Sequence, residues 1–135
     1  MELFTVIILD THIWLWWVNQ NTNLLKPTWL EHIEQAEQVG VSAMSLFEVA
    51  WLEQHNRIQL PCSRLEWFAK ALSGSGVQLM PVSPEIADQA VSLHEHHSDP
   101  QDRIIIATAI IHDALLLSAD GKFKLYNELN GKLIQ

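Results

Sequence analysis

Four carboxylates, Asp10, Glu48, Asp102 and Asp120, stand where acids can act together on one substrate or hold one hard cation. Asp10 directly follows the apolar run TVIIL (residues 5–9), and Asp120 directly follows LLLSA (residues 115–119). Glu48 lies one turn into the helix expected after GVSA (residues 40–43), and Asp102 lies in the first turn of a helix over residues 99–111. In an open parallel sheet the functional rim lies beyond the carboxyl ends of the strands, where loops and helix starts converge. If these strands are parallel, at least three of the four acids share that rim.

Each acid also has an ordinary structural use. Asp10 can cap the helix beginning near Thr11, and Asp99 before Pro100 fits a cap followed by proline at the first helical position. Asp102 in the first turn complements the helix dipole, and Asp120-Gly121 is a turn pair. Glu48 is harder to explain in this way. In AMSLFEVAWL (residues 43–52) Ser45 and Glu48 are the only polar residues, three apart on one stripe of an otherwise apolar helix. A carboxylate on a mostly buried helix must be paired, protonated or bound to a cation, unless its stripe faces water.

The elements that must position these acids alternate. A buried strand over residues 5–9 leads into a helix, and Pro27 opens a second helical stretch over residues 28–38. A brief strand over residues 40–43 is followed by a helix over residues 43–56, and Pro61 introduces another that runs to Leu72. After the Gly74-Ser75-Gly76 turn come a strand over residues 77–82 and a helix capped by Ser83, with Pro84 at its first position. The helix over residues 99–111 is apolar almost all round, as a helix between layers must be. A strand over residues 115–119 and an edge strand over residues 132–134 complete the pattern, which predicts a three-layer α/β/α fold around a parallel sheet.

The 135 residues predict one domain. With 48% apolar and 18% charged residues the chain has the balance of a folded protein. The apolar first eighteen residues lack a preceding Lys or Arg and carry Asp10 and His12 mid-run, which argues against a membrane anchor and for a cytoplasmic protein. Cys62 is the only cysteine, so neither an intrachain disulfide nor a cysteine zinc site can form. The net charge of −8 is an awkward sign for binding nucleic acid, unless the acids recruit divalent cations; it also suits a basic partner.

The run His94-Glu95-His96-His97 looks metal-binding, but Ser98 stands where a metalloprotease helix needs its second histidine, and a solvated helix end is the simpler reading. Six tryptophans, three of them at Trp14, Trp16 and Trp17, predict core packing, with any exposed ones suited to an interface. Arg103, Lys122 and Lys124 adjoin the acids and could touch a phosphate.

The order of LDTHIWLW (residues 9–16), SLFEVAWL (45–52), DPQDRIIIATA (99–109) and LLLSADGKF (115–123) resembles the PIN-domain family over nearly the whole chain, most nearly its VapC-like bacterial toxins. The resemblance implies an α/β/α domain with an acidic pocket that binds Mg²⁺ or Mn²⁺ and hydrolyses RNA. It also implies a cognate antitoxin and a homodimer as partners. On it, Asp10, Glu48, Asp102 and Asp120 match the family's four acids, and Ser45 matches the small hydroxyl residue three before the second. Where many members carry Thr-Arg-Asp, this chain has Ser118-Ala119-Asp120, without the arginine. Two rival readings are a non-catalytic module on the same fold and aspartyl phosphotransfer; for the latter, His12 replaces the second acid of the Asp-x-Asp motif.

Overall fold

The β-branched and leucine-rich runs form the centre of a five-stranded sheet in the computed structural model, which describes residues 5–94 and 99–135. Strand β1 (Val6–Leu9) lies in the middle. It pairs in parallel with β2 (Gln38–Ser42) on one side and β4 (Leu115–Leu117) on the other. Outside these lie β3 (Gln78–Met80) and β5 (Leu133–Ile134), also parallel, giving the order β3-β2-β1-β4-β5. The chain runs outward from β1 to β2 and β3 and then crosses back to β4, so the topological switch point falls at the carboxyl end of β1.

Alternation along β1 sorts the two faces. Ile7 and Leu9 join Val41 and Leu117 in a core covered by α1 (Thr11–Val18), α2 (Pro27–Gln35), α3 (Ala43–Gln54) and α4 (Arg64–Ala71). Ile8 faces the other way with Leu116 and Met80, against Ile105, Ile106 and Ala109 of α6 (Pro100–Ile111) and Phe123, Tyr126 and Leu129 beyond it. Helix α5 (Pro84–Ser92) packs Ile86 and Ala90 on Ala107 at the back of α6, so α6 is apolar on both sides. This is the three-layer α/β/α arrangement that the sequence predicts. Gly40 sits in β2 because a Cβ there would collide with the side chain of Met80.

Some boundaries move. Helix α2 stops at Gln35, because the amides of Glu37 and Gln38 both donate to the carbonyl of Thr5 and pull the chain into the sheet. The second strand therefore starts at Gln38, not Gly40. Helix α4 begins at Arg64, not Pro61, because Ser63 caps it, accepting from Glu66 N at 3.3 Å. Trp14, Trp29 and Trp67 are buried as core, with Trp14 edge-on to Trp67 at 4.9 Å. Trp14 Nε1 donates to the Ala71 carbonyl, and Trp67 Nε1 to Asn19. Among the described residues no helix is long and apolar enough to cross a membrane. Of the histidine run, residues 95–97 lie outside the described residues.

Candidate active site

Asp10 leaves β1 at the switch point and its amide continues the ladder by donating to Leu117 O at 2.9 Å. It does cap α1, since Oδ1 accepts from Thr11 N at 2.8 Å. Its other oxygen, Oδ2, accepts from the hydroxyl of Ser118 at 2.8 Å, just after β4. The same Ser118 oxygen accepts from the amide of Asp120 at 3.0 Å, so one hydroxyl ties the first acid to the loop bearing the last. Asp120 in turn accepts from Lys122 N at 2.9 Å, as a turn aspartate does.

Glu48 is held from α1. Thr11 Oγ1 lies 2.8 Å from Glu48 Oε1 and 2.9 Å from Ser45 Oγ. A threonine hydroxyl has one proton, and Thr11 gives it to Glu48, so Ser45 donates to Thr11. The buried Ser45 thus supports Glu48 through Thr11 and does not face the cleft. Asp102 projects from the first turn of α6, and Asp99 caps that helix by accepting from Gln101 N at 2.9 Å.

These acids line one cleft of about 370 Å³ with His12, Trp16 and Ala119: Asp10, Glu48, Asp99, Asp102 and Asp120 all border it. The structure brings together all four acids singled out in the sequence and adds Asp99, whose capping role does not remove it from the wall. Among the described residues no Lys or Arg lines the cleft. Burial pushes the Asp10 carboxyl up to about 6, although Ser118, Thr11 and His12 work against this. Asp102 is pushed up to about 8, first by burial and then by the neighbouring charges of Asp99, Asp10, Asp120 and Glu48.

The basic residues near the acids have other positions. Arg103 donates to the backbone carbonyls of Val91, Leu93 and His94, so its guanidinium ties the end of α5 to α6. Lys122 and Lys124 are exposed outside the cleft. Sequence reasoning missed Thr11 and Ser118 as organisers of the acids. The only signal for either is a hydroxyl directly beside a strand end, which is common.

The donor set suits a hard divalent cation: five carboxylates beside one imidazole, His12, and among the described residues no Lys or Arg to neutralise them. Among the described residues no three acid, histidine or cysteine side chains are drawn together tightly enough to enclose an ion by themselves. The fit is to an ion that keeps several waters and takes one or two carboxylates directly, as Mg²⁺ does.

Comparison with known proteins identifies the family and the fold. The sequence pattern of the PIN domain family matches residues 7–129. Ribonuclease VapC22 of Mycobacterium tuberculosis is 35% identical over 121 residues, covering 89% of this chain and 91% of that protein. Among solved structures, VapBC2 from Rickettsia felis, bound to a DNA fragment from its promoter, has a chain of the same fold with TM-score 0.70. That match is 18% identical and covers 96% of this chain and 98% of the other. A toxin–antitoxin complex from Klebsiella pneumoniae matches with TM-score 0.60 and 18% identity, covering 96% of each chain.

Proposed function

The chain belongs to the PIN domain family, and from that premise we propose that it is a divalent-cation-dependent endoribonuclease, the toxin of a toxin–antitoxin pair. The observation that carries the reading is the cleft at the switch point, walled by five carboxylates and, among the described residues, by no Lys or Arg. Such a cleft repels a bare phosphate and accepts one only together with cations. Asp10, Glu48, Asp102 and Asp120 are the residues that would hold Mg²⁺ or Mn²⁺. The cation, when bound, neutralises phosphoryl charge and makes an attacking water more acidic.

The chain's own part is orientation. Thr11 N and Ser118 fix both oxygens of Asp10, and Thr11 fixes one oxygen of Glu48, so neither carboxylate has to be ordered when substrate arrives. Water, not the ribose 2′-hydroxyl, is the nucleophile. Its oxygen bonds to phosphorus, the bond from phosphorus to O3′ breaks, and O3′ takes up a proton. The products are a 5′-phosphate and a 3′-hydroxyl. End-group analysis of the cleaved RNA tests this directly, since a 2′,3′-cyclic phosphate would exclude water attack.

The partners in this reading are a cognate antitoxin and a second copy of the chain. The antitoxin is supported by the named toxin–antitoxin complexes that share the fold. Co-purification of the chain with the product of an adjacent reading frame tests it.

A further inference from the structure

Next to the carboxylate cleft lies a second recess of about 460 Å³, lined by Glu48, Trp51, Leu52, Asp99, Pro100 and Gln101. It shares Glu48 and Asp99 with the first, so the two recesses adjoin, and a chain whose phosphate lay among the acids would reach this one with its neighbouring nucleotide. Trp51 follows Glu48 by three residues on α3 and therefore stands beside it on one stripe of the helix. It is 42% exposed, although Trp14, Trp29 and Trp67 are all buried in the core.

The Trp51 ring is braced. His55 stacks on it with ring centroids 3.9 Å apart and planes 22° apart, and His55 Nδ1 donates to the Trp51 carbonyl at 2.8 Å. A large aromatic side chain is thus held in one orientation and still presents surface to solvent at the edge of the acid cleft. Among the described residues neither recess is lined by Lys or Arg, and the chain carries a net charge of −8. Affinity for a nucleic acid strand therefore draws nothing from Lys or Arg at these two recesses. Stacking of unpaired bases on aromatic rings is the uncharged alternative. The recess offers a flat neutral base the apolar surfaces of Trp51, Leu52 and Pro100, with the Gln101 amide able to donate to or accept from its edge.

We propose that Trp51 is the stacking platform for the nucleobase adjoining the scissile phosphate, with that base splayed onto α3. This rests on the ribonuclease reading, and the test separates the two. The probe is a random-sequence pool of single-stranded RNAs of about 12 nucleotides, cleaved with Mn²⁺ by the wild-type chain, Trp51→Leu and Trp51→Phe. Mn²⁺ binding, thermal melting and sedimentation are measured on each. Trp51→Leu raises KM about tenfold or more with Mn²⁺ binding, melting and oligomeric state unchanged, and Trp51→Phe recovers most of the loss. Wild-type KM rises only shallowly between about 50 and about 200 mM salt, because few phosphates are neutralised. An unchanged KM in Trp51→Leu overturns the platform and leaves the nuclease intact. A KM change that comes with loss of Mn²⁺ binding or of oligomeric state also overturns it. A wild-type chain that neither cleaves the pool nor binds Mn²⁺ removes the nuclease reading, and the platform with it.

Discussion

Asp10→Asn makes the cation-free protein more stable at neutral pH, although it removes a charge from the centre of the proposed site. Asp10 is only 7% exposed and its carboxyl is pushed from 3.8 to about 6, burial being the largest cause. Below 3.8 the folded and unfolded chains both hold the proton, and the charge costs nothing. Between 3.8 and about 6 the folded state keeps a proton that the unfolded state has released, so stability falls as pH rises. Above about 6 the whole penalty is present, on the order of 3 kcal/mol. Asparagine removes it and keeps the local bonds, since its Oδ1 still caps Thr11 N and its amide donates to a rotated Ser118 hydroxyl. Urea unfolding in EDTA at pH 8 should therefore show Asp10→Asn more stable by about 2 to 3 kcal/mol, with a melting temperature about 10 °C higher. At pH 4 the difference should nearly vanish. Adding Mn²⁺ at pH 8 should narrow it, because the cation stabilises the wild-type chain alone. A variant no more stable than wild type at pH 8, or a difference that does not shrink toward pH 4, would refute the argument that Asp10 is a destabilised charge.

Other consequences follow from the same geometry. Cation binding should tighten as pH rises from about 5.5 to about 8.5, because Asp10 and then Asp102 must lose protons that burial and neighbouring acids hold in place; a pH-independent affinity by calorimetry would count against their role as ligands. Thr11→Val removes the hydroxyl that orients Glu48 and should lower kcat by about tenfold or more, with stability down by only about 1 kcal/mol. An unchanged kcat would show that Glu48 needs no such support. Arg103→Met should destabilise the fold by about 2 kcal/mol, by leaving the carbonyls of Val91, Leu93 and His94 without their donor. It should leave the Mn²⁺ affinity unchanged, and a selective loss of RNA binding in a stable Arg103→Met protein would place the guanidinium on the substrate after all.

Much of the fold was legible because the strands are β-branched or leucine-rich and end at Asp10 and Ser118-Ala119-Asp120, where the apolar pattern stops abruptly. Parallel pairing followed from helices between them, and the structure has every strand parallel. The boundaries that slipped were set by contacts no local pattern carries. Thr5 captures the amides after α2, and Ser63 caps α4 two residues past the proline that looked like its start. The acids were found from their positions after strands and in first helical turns. What the sequence did not reveal is how Thr11 and Ser118 connect them, since those bonds join residues far apart in the chain. Arg103 looked like a phosphate ligand by adjacency alone, yet its side chain points back to the end of α5. Ala119 lines the cleft, and Asp120 beside it is anchored through its backbone amide to Ser118.

Cleavage assays on the purified chain show whether one carboxylate cleft cuts RNA with the help of a divalent cation. Single-stranded RNA should be cut with Mg²⁺ or Mn²⁺, left intact in EDTA, and left intact by Glu48→Gln in a protein that melts no lower than wild type. Cutting that persists in EDTA, or that survives Glu48→Gln unchanged, would mean that this cleft and its cation are not the catalytic centre.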